Sequence, residues 1–185
     1  MILPIVVYGD AVLKKETEEI TSDYPQLQTI IANMYETMYN AKGVGLAAPQ
    51  IGLPISIFII DSTEMEDEQN VDKAVKQVFI NAEIIERTGE NYLYSEGCLS
   101  IPDIHENVSR KPKIKIRYMD EHFVEHVDTF EGMPARVIQH EYDHIIGITF
   151  IDRLSPLKKT LLKGKLNDIS TGKKTAFYKT KPTKK

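Results

Sequence analysis

Apolar residues recur along the chain at two different spacings, and the helical spacing marks two amphipathic segments. The first begins at Ser22 or Asp23 and stops at Gly43, with apolar positions at Leu27, Ile30, Ile31, Met34 and Met38. The last begins at Ser155 and Pro156, with apolar positions at Leu157, Leu161, Leu162, Leu166 and Ile169. Positions three and four residues apart share one face of a helix, so each set predicts a helix packed on the domain.

Other stretches have the spacing of β-strands, in which apolar residues alternate with polar ones or run without interruption. Residues 113–119 alternate strictly, which predicts a strand whose buried face is formed by Ile114, Ile116 and Tyr118. Residues 123–130 are its predicted hairpin partner. Residues 55–60 are mostly apolar and predict a buried strand, and residues 77–86 and 4–8 also have strand character.

A further helix, predicted from residues 131–134 to Gly147, carries a His-Glu-x-x-His pattern formed by His140, Glu141 and His144. Histidines four residues apart lie one turn above the other, so both imidazoles can bind one divalent metal from the same side. Glu141 can then reach a water molecule on that metal without being a ligand itself. The alternative is a helix whose histidines only form hydrogen bonds or face solvent.

The single cysteine supplies a third candidate ligand. Cys98 follows Gly97 in a predicted short loop, where its thiolate would be accessible to a metal. With His140 and His144 it would make three protein ligands, and three ligands leave a position for water, as in catalytic sites. One cysteine excludes an internal disulfide. Without the histidine pair, a buried inert thiol would be the favoured interpretation.

A glycine-rich stretch at residues 43–50 reads Gly-Val-Gly-Leu-Ala-Ala-Pro-Gln, and Gln50 is its one polar side chain. The stretch lacks the Gly-Lys-Ser/Thr ending of a phosphate-binding loop. Its small residues would let the backbone approach a ligand closely. A tight turn with Gln50 on the surface explains the pattern equally well, and the residues by themselves leave both interpretations open.

Charge is distributed unevenly along the chain. The net charge is −4, but residues 171–185 hold six lysines and no acidic residue, so residues 1–170 carry −10. So acidic a body is not suited to attract nucleic acid broadly. We predict one domain over residues 1–170 and a basic, flexible tail over residues 171–185. Residues 61–72 hold six acids and no base, which predicts a solvated loop.

Three motifs, taken in order, resemble those of peptide deformylase: residues 43–50, residues 96–100 (Glu-Gly-Cys-Leu-Ser) and residues 139–144 (Gln-His-Glu-Tyr-Asp-His). Segments 4–10 and 147–154 are also similar to the family, and the resemblance covers about residues 2–155. It implies an α+β fold, with antiparallel β-sheets around a central metal-binding helix and a C-terminal helix packed on the outside. It also implies an activity, the removal of the formyl group from the N-terminal formyl-methionine of nascent polypeptides.

The resemblance implies a metal site as well. Its ligands would be Cys98, His140 and His144, and the physiological metal would be ferrous iron. Zinc, nickel or cobalt can substitute, because a thiolate and two imidazoles suit all four metals.

Roles in catalysis and substrate binding follow from the same resemblance. Glu141 would take a proton from water and pass it to the leaving amine. The Gln50 side-chain amide and the Leu99 backbone N–H would stabilise charge on the formyl oxygen. His105 stands where many members of the family carry an arginine that contacts the substrate. The candidate substrate-binding residues are Val44, Gly45, Gly97, His105 and Val137.

The expected partners are formyl-methionyl nascent peptides and, through the C-terminal helix and tail, the ribosome. No segment is apolar enough to span a membrane, and the start of the sequence lacks the pattern of a leader. We therefore expect a protein of the bacterial cytoplasm that binds neither membranes nor specific DNA sequences.

Two alternatives belong to other classes of protein. One is a different metal hydrolase, such as a peptidase with the same His-Glu-x-x-His turn. Its third ligand is usually a downstream Glu or His, whereas here no histidine follows His144 and Asp152 is the one nearby downstream acid. The other is an inactive metal-binding domain associated with the ribosome. The joint presence of five candidate site residues argues against this alternative: Gln50, Cys98, His140, Glu141 and His144.

Overall fold

The computed structural model describes residues 1–63 and 74–183, and within these ranges the chain forms three α-helices and nine β-strands. The helices are α1 (Leu27–Asn40), α2 (Gly132–Ile145) and α3 (Pro156–Ser170). The strands are β1 (Ile5–Val6), β2 (Gly45–Ala47), β3 (Ile57–Asp61), β4 (Lys76–Thr88), β5 (Tyr92–Cys98), β6 (Ile101–Arg110), β7 (Lys113–Met119), β8 (Glu125–Glu131) and β9 (Thr180–Lys181). Most of the predicted acidic loop, from residue 64 onward, lies outside the described residues.

The largest sheet has five antiparallel strands in the order β2-β3-β4-β7-β8. The alternation predicted for residues 113–119 is confirmed, because Ile114, Ile116 and Tyr118 of β7 are buried. The hairpin of β7 and β8 is also confirmed. Its turn depends on Asp120, whose carboxylate accepts hydrogen bonds from the backbone N–H groups of His122 and Val124.

Two smaller sheets complete the α+β fold. β5 and β6 form an antiparallel hairpin, and β1 pairs with β9 in parallel. The C-terminal strand therefore lies beside the N-terminal one. This pairing joins segments more than 170 residues apart in the chain, and no local sequence pattern predicts it.

Helix α1 begins later than the sequence predicts. Its first residue is Leu27, not Ser22 or Asp23, and Gln26 before it has a left-handed backbone conformation (φ 57°). Pro25 disfavours a helical conformation at the preceding residue, so the chain turns here before the helix can start. The buried face includes Leu27, Ile31, Met34 and Met38, as the spacing predicts.

Helix α2 is central and almost entirely buried. It contacts β2, β3, β7 and β8 of the large sheet, where Val137, Ile138 and Ile145 join the apolar cluster around Phe58 and Phe79. Arg136 and His140 of this helix contact Glu96 of the β5–β6 hairpin. The predicted central helix is therefore confirmed, and it brings charged side chains into the interior.

Helix α3 packs on the outside of the domain. Ser155 caps it by accepting a hydrogen bond from Lys158 N–H, and Leu162, Leu166 and Ile169 are buried. The predicted stripe is wrong at two positions, since Leu157 and Leu161 are 69% and 73% exposed. The reason is geometric: five apolar residues cover an arc wider than one contact face, and α3 touches the body along only one side.

The described part of the C-terminal segment, residues 171–183, lies against the body. Tyr178 contacts Leu99 and the apolar cluster around α1, and Lys174 pairs with Asp103 at 2.9 Å. No helix among the described residues has both the length and the apolar character needed to cross a bilayer.

Candidate metal centre and active site

Helix α2 and strand β5 bring three potential metal ligands together. His140 and His144 share one face of α2, with ring centroids 5.3 Å apart. Cys98 is the last residue of β5, and its Sγ lies 3.3 Å from His144 Nε2. One ligand atom from each of the three residues lies within 4.8 Å of the others. The sequence alone could not show this proximity of Cys98, which precedes His140 by 42 residues.

The sequence suggested that Cys98 lies in a short loop. In the structure it is instead the last residue of β5, and the β5–β6 hairpin sets its position. Cys98 pairs with Ile101 across a tight connection formed by Leu99 and Ser100. The pairing register shifts between Glu96 and Cys98, which indicates an irregularity of the strand at Gly97. The thiol is only partly buried, so it remains accessible from the adjoining cleft.

Gln50 lies in the interior, which excludes the interpretation of residues 43–50 as a surface turn. It belongs to a short 3-10 helix (Ala48–Ile51) and is 1% exposed. Its Oε1 accepts a hydrogen bond from Ala47 N–H at 2.8 Å. This contact points Nε2 toward Ser100 Oγ at 3.3 Å and Cys98 Sγ at 3.5 Å. A fixed amide donor thus faces the candidate ligand set.

Glu141 lies beside the ligand set with its carboxyl group against the backbone of Gly45. A Cβ at Gly45 would stand 2.5 Å from Glu141 Oε1, so glycine is required for this close approach. Burial raises the pKa of Glu141 to about 7, although the charges of His140 and Arg110 oppose it. Within the described residues its Oε2 has no hydrogen-bond partner. A carboxyl group that titrates near neutral pH is suited to proton transfer.

Glu96 is the functional residue that sequence reasoning missed. Its buried carboxylate accepts hydrogen bonds from Arg110 Nε at 2.7 Å and Arg136 Nη1 at 2.6 Å, and lies 3.1 Å from His140 Nδ1. Burial opposes ionisation, but the contacts with Arg110 and His140 outweigh it and hold the pKa of Glu96 well below its usual value. The carboxylate thereby orients the ring, so that His140 Nε2 is free for a metal. An acid directly before Gly97 was the only available signal.

A second buried acid, Asp143, ties α2 to its surroundings. It accepts a hydrogen bond from Arg110 Nη1 at 2.8 Å and pairs with Arg153. Burial, together with the positive charges of His140 and Arg110, lowers the pKa of His144 well below its usual value. The neutral imidazole is the form that binds metals.

A cleft of about 600 Å³ opens beside these groups. All of the substrate-binding candidates line it: Val44, Gly45, Gly97, His105 and Val137. Leu99 lines it too. A Cβ on Gly97 would stand 2.7 Å from His105 Nε2, so the imidazole lies directly over the glycine. The cleft combines an apolar wall with backbone groups, which suits a peptide with an apolar side chain.

The donor set fits a divalent transition metal. A thiolate and two imidazoles are the usual ligands of zinc and of metals with similar preferences, and three ligands leave positions open for reactants. Glu96 completes the pattern, because a ligating histidine normally donates its second ring N–H to an acceptor.

Comparisons with known proteins all identify the same family. The sequence pattern of the polypeptide deformylase family matches residues 2–160. A peptide deformylase of Christiangramia forsetii is 55% identical over an alignment 186 residues long. The alignment covers 97% of this chain and 95% of that protein.

Solved structures agree. The crystal structure of a peptide deformylase from Legionella pneumophila is 37% identical, with a TM-score of 0.79 and coverage of 91% of this chain and 95% of that one. A Met-Ala-Ser-bound peptide deformylase from Acinetobacter baumannii is 32% identical, with a TM-score of 0.75 and coverage of 83% and 99%.

Proposed function

The chain belongs to the peptide deformylase family, and from this premise we propose that Cys98, His140 and His144 are the metal ligands of the enzyme. The enzyme removes the formyl group from the N-terminal formyl-methionine of nascent polypeptides. One observation carries the proposal: three ligand atoms lie within 4.8 Å of one another beside a buried carboxyl group, Glu141. Neither alternative, a peptidase or an inactive binding domain, has comparable support.

The physiological metal in our proposal is ferrous iron, with zinc, nickel or cobalt able to take its place. Such a metal supplies Lewis acidity, which brings the pKa of water toward neutrality. The protein's own contribution is to hold the ligands in place, through the hairpin turn at Cys98 and the contact of Glu96 with His140.

Proton transfer is assigned to Glu141. Its carboxylate accepts a proton from the attacking water and later donates it to the leaving amine. A pKa of about 7, caused by burial, allows both forms to be populated near neutral pH. Because Glu141 lies against Gly45, the carboxyl group has a defined position.

We assign the stabilisation of negative charge on the formyl oxygen to two hydrogen-bond donors, the Gln50 side-chain amide and the Leu99 backbone N–H. The support for Gln50 is its fixed orientation, with Oε1 bound to Ala47 N–H and Nε2 facing the ligand set. Losing one such donor typically lowers kcat by about 10²–10³-fold.

The substrate methionine is assigned to the apolar part of the cleft at Val44 and Val137. Gly45 and Gly97 offer backbone groups to the peptide. His105, which lies over Gly97, takes the place of an arginine found in many members of the family.

The test is formate release from formyl-Met-Ala-Ser by protein prepared without oxygen and loaded separately with iron, nickel or zinc. We expect rapid release with iron or nickel and its loss in Cys98→Ser. Glu141→Ala should retain the metal and lose turnover. Cleavage of unformylated Met-Ala-Ser would favour the peptidase. Stoichiometric metal without release of formate would favour the binding domain.

We also place the enzyme in the cytoplasm, at the ribosome, because its substrates are nascent chains. The exposed lysines of α3 and the tail would contact ribosomal RNA. Removing the tail would be a poor test, since residues 174–183 pack on the body. Replacing Lys163, Lys165, Lys173 and Lys179 by glutamine leaves the packing intact. Unchanged co-sedimentation with ribosomes would refute this part of the proposal.

A further inference from the structure

The C-terminal segment forms part of the wall of the catalytic cleft. Residues 175–178 line the same cleft as Cys98, His140 and Glu141. The composition of this segment, rich in lysine and close to the end of the chain, suggested only a basic tail. Its position therefore raises the question of what its side chains contribute there.

The segment is held on both sides of residues 175–178. On one side, Lys174 N–H donates to Asp168 O at the end of α3, at 3.0 Å. On the other side, Ile5 N–H donates to Lys179 O at 2.9 Å, and β9 then pairs with β1. The four residues between these fixed points are thus kept beside the cleft by main-chain hydrogen bonds.

Tyr178 connects the segment to the turn that follows the candidate ligand Cys98. Its hydroxyl donates to the carbonyl oxygen of Leu99 at 2.7 Å, and its ring packs with Leu99 on the apolar cluster around α1. The tail is thereby attached directly to the active-site hairpin.

Phe177 is the exposed aromatic residue of this wall. It lines the cleft, yet 72% of its surface is accessible, so it lies at the rim. Its ring meets Tyr178 edge-on, with centroids 5.0 Å apart, and the Lys42 ammonium lies 5.6 Å from its centroid. These contacts orient a large apolar surface that residues 1–63 and 74–183 leave mostly uncovered.

We propose that Phe177 binds the side chains that follow methionine in the substrate and gives the enzyme a preference for aromatic residues there. This inference rests on the proposed function. The formyl group must reach Cys98, His140 and Glu141, so the peptide leaves the cleft toward its rim. An apolar side chain beyond the methionine then covers the exposed ring of Phe177.

The experiment compares kcat/KM for formyl-Met-Ala-Ser, formyl-Met-Phe-Ser and formyl-Met-Ala-Phe with the full-length, metal-loaded enzyme and with Phe177→Ala. An aromatic pair contributes enough to change binding by about threefold to tenfold. We expect the variant to lose that factor for at least one aromatic peptide, mainly through KM. The alanine peptide is the reference, and its kcat/KM should fall by a smaller factor than that of the affected aromatic peptide.

Two controls separate this effect from general damage. Leu161→Ala removes an equally exposed apolar side chain from α3, outside the cleft, and should leave all ratios unchanged. Phe177→Leu should retain part of the preference. An equal change of kcat/KM for all three peptides, or no change, in folded Phe177→Ala would overturn the proposal.

A binding measurement distinguishes failure of this proposal from failure of the proposed function. Calorimetry with the product peptides Met-Phe-Ser, Met-Ala-Phe and Met-Ala-Ser requires no turnover. Absence of formate release from the parent enzyme would reject the assigned function. Equal affinities of parent and Phe177→Ala for the aromatic product peptides would reject the role of Phe177, whatever the activity.

Discussion

Glu96 connects the charged interior of the protein to its candidate metal ligands. One carboxylate accepts hydrogen bonds from Arg110 and Arg136 and also contacts His140. Arg110 belongs to β6, whereas Arg136 and His140 belong to α2, so the same carboxylate joins two elements and orients a candidate ligand. Because the charges lie in the interior, removing one of them leaves the others without compensation.

Glu96→Gln should weaken metal binding by about 10–100-fold, because the His140 ring loses the carboxylate that orients it. Competition with a chelator measures this affinity. The matched control is Glu83→Gln, which removes an exposed carboxylate paired with Arg117 and should leave affinity unchanged. Equal metal affinity of Glu96→Gln and the parent would contradict the role assigned to Glu96.

Gly45→Ala should lower kcat by about 10²-fold, since a methyl group 2.5 Å from Glu141 Oε1 displaces the carboxyl group. Steady-state kinetics with formyl-Met-Ala-Ser measures the effect. Gly164→Ala is the control, because its new methyl group meets nothing within 4 Å on α3. It should keep full activity and raise the free energy of unfolding by up to about 1 kcal/mol. Undiminished kcat in Gly45→Ala would show that the carboxyl position is unimportant.

At the level of elements, α3 shows how far apolar residues at helical spacing predict which side chains are buried. Its apolar residues predict a packed helix, and Leu162, Leu166 and Ile169 are indeed buried. Leu157 and Leu161 belong to the same pattern but face away from the body. The spacing establishes that a helix forms and is amphipathic, whereas the width of the contact depends on the shape of the surface beneath it.

Substitution of neighbouring leucines on α3 tests this distinction. Leu162→Ala should lower the free energy of unfolding by about 2–5 kcal/mol, because it leaves a cavity under the helix. Leu161→Ala should change it by no more than about 0.5 kcal/mol. Urea unfolding at fixed pH and metal content measures both. Similar losses in the two variants would contradict the orientation of α3.

For the whole molecule, the important contacts join the C-terminal segment to distant parts of the chain. β9 pairs with β1, and Tyr178 reaches the hairpin connection at Leu99, 79 residues earlier in sequence. Residues 175–178 thus line the same cleft as helix α2 and the β5–β6 hairpin. The stability of the β5–β6 hairpin is for this reason coupled to the C-terminal segment.

Tyr178→Phe removes only the hydroxyl that donates to Leu99 O. We expect a loss of about 0.5–1.5 kcal/mol in the free energy of unfolding, the usual net value of a hydrogen bond. Urea unfolding compares it with Tyr94→Phe, in which the altered side chain is 44% exposed and the expected change is near zero. A Tyr178→Phe protein as stable as the parent would mean that this contact does not hold the tail.

The sequence by itself determined the three helices, five of the nine described strands (β1, β3, β4, β7 and β8) and the available chemistry. Alternation in β7 and helical spacing in α1, α2 and α3 are local properties, since each follows from which side of one element is buried. His140, Glu141 and His144 lie on one turn, so their relation needed no tertiary contact. The order of three motifs was enough to indicate the family.

The tertiary structure alone decided what depends on contacts between distant segments. It places Cys98 beside His144 and buries Gln50 in the interior. It also brings Glu96 into contact with His140 and places Phe177 at the rim of the cleft. None of these follows from a local period, because the energy that fixes each comes from groups far away in the chain. Burial, which raises the pKa of Glu141 to about 7, is likewise a property of the assembled fold and not of any segment within it.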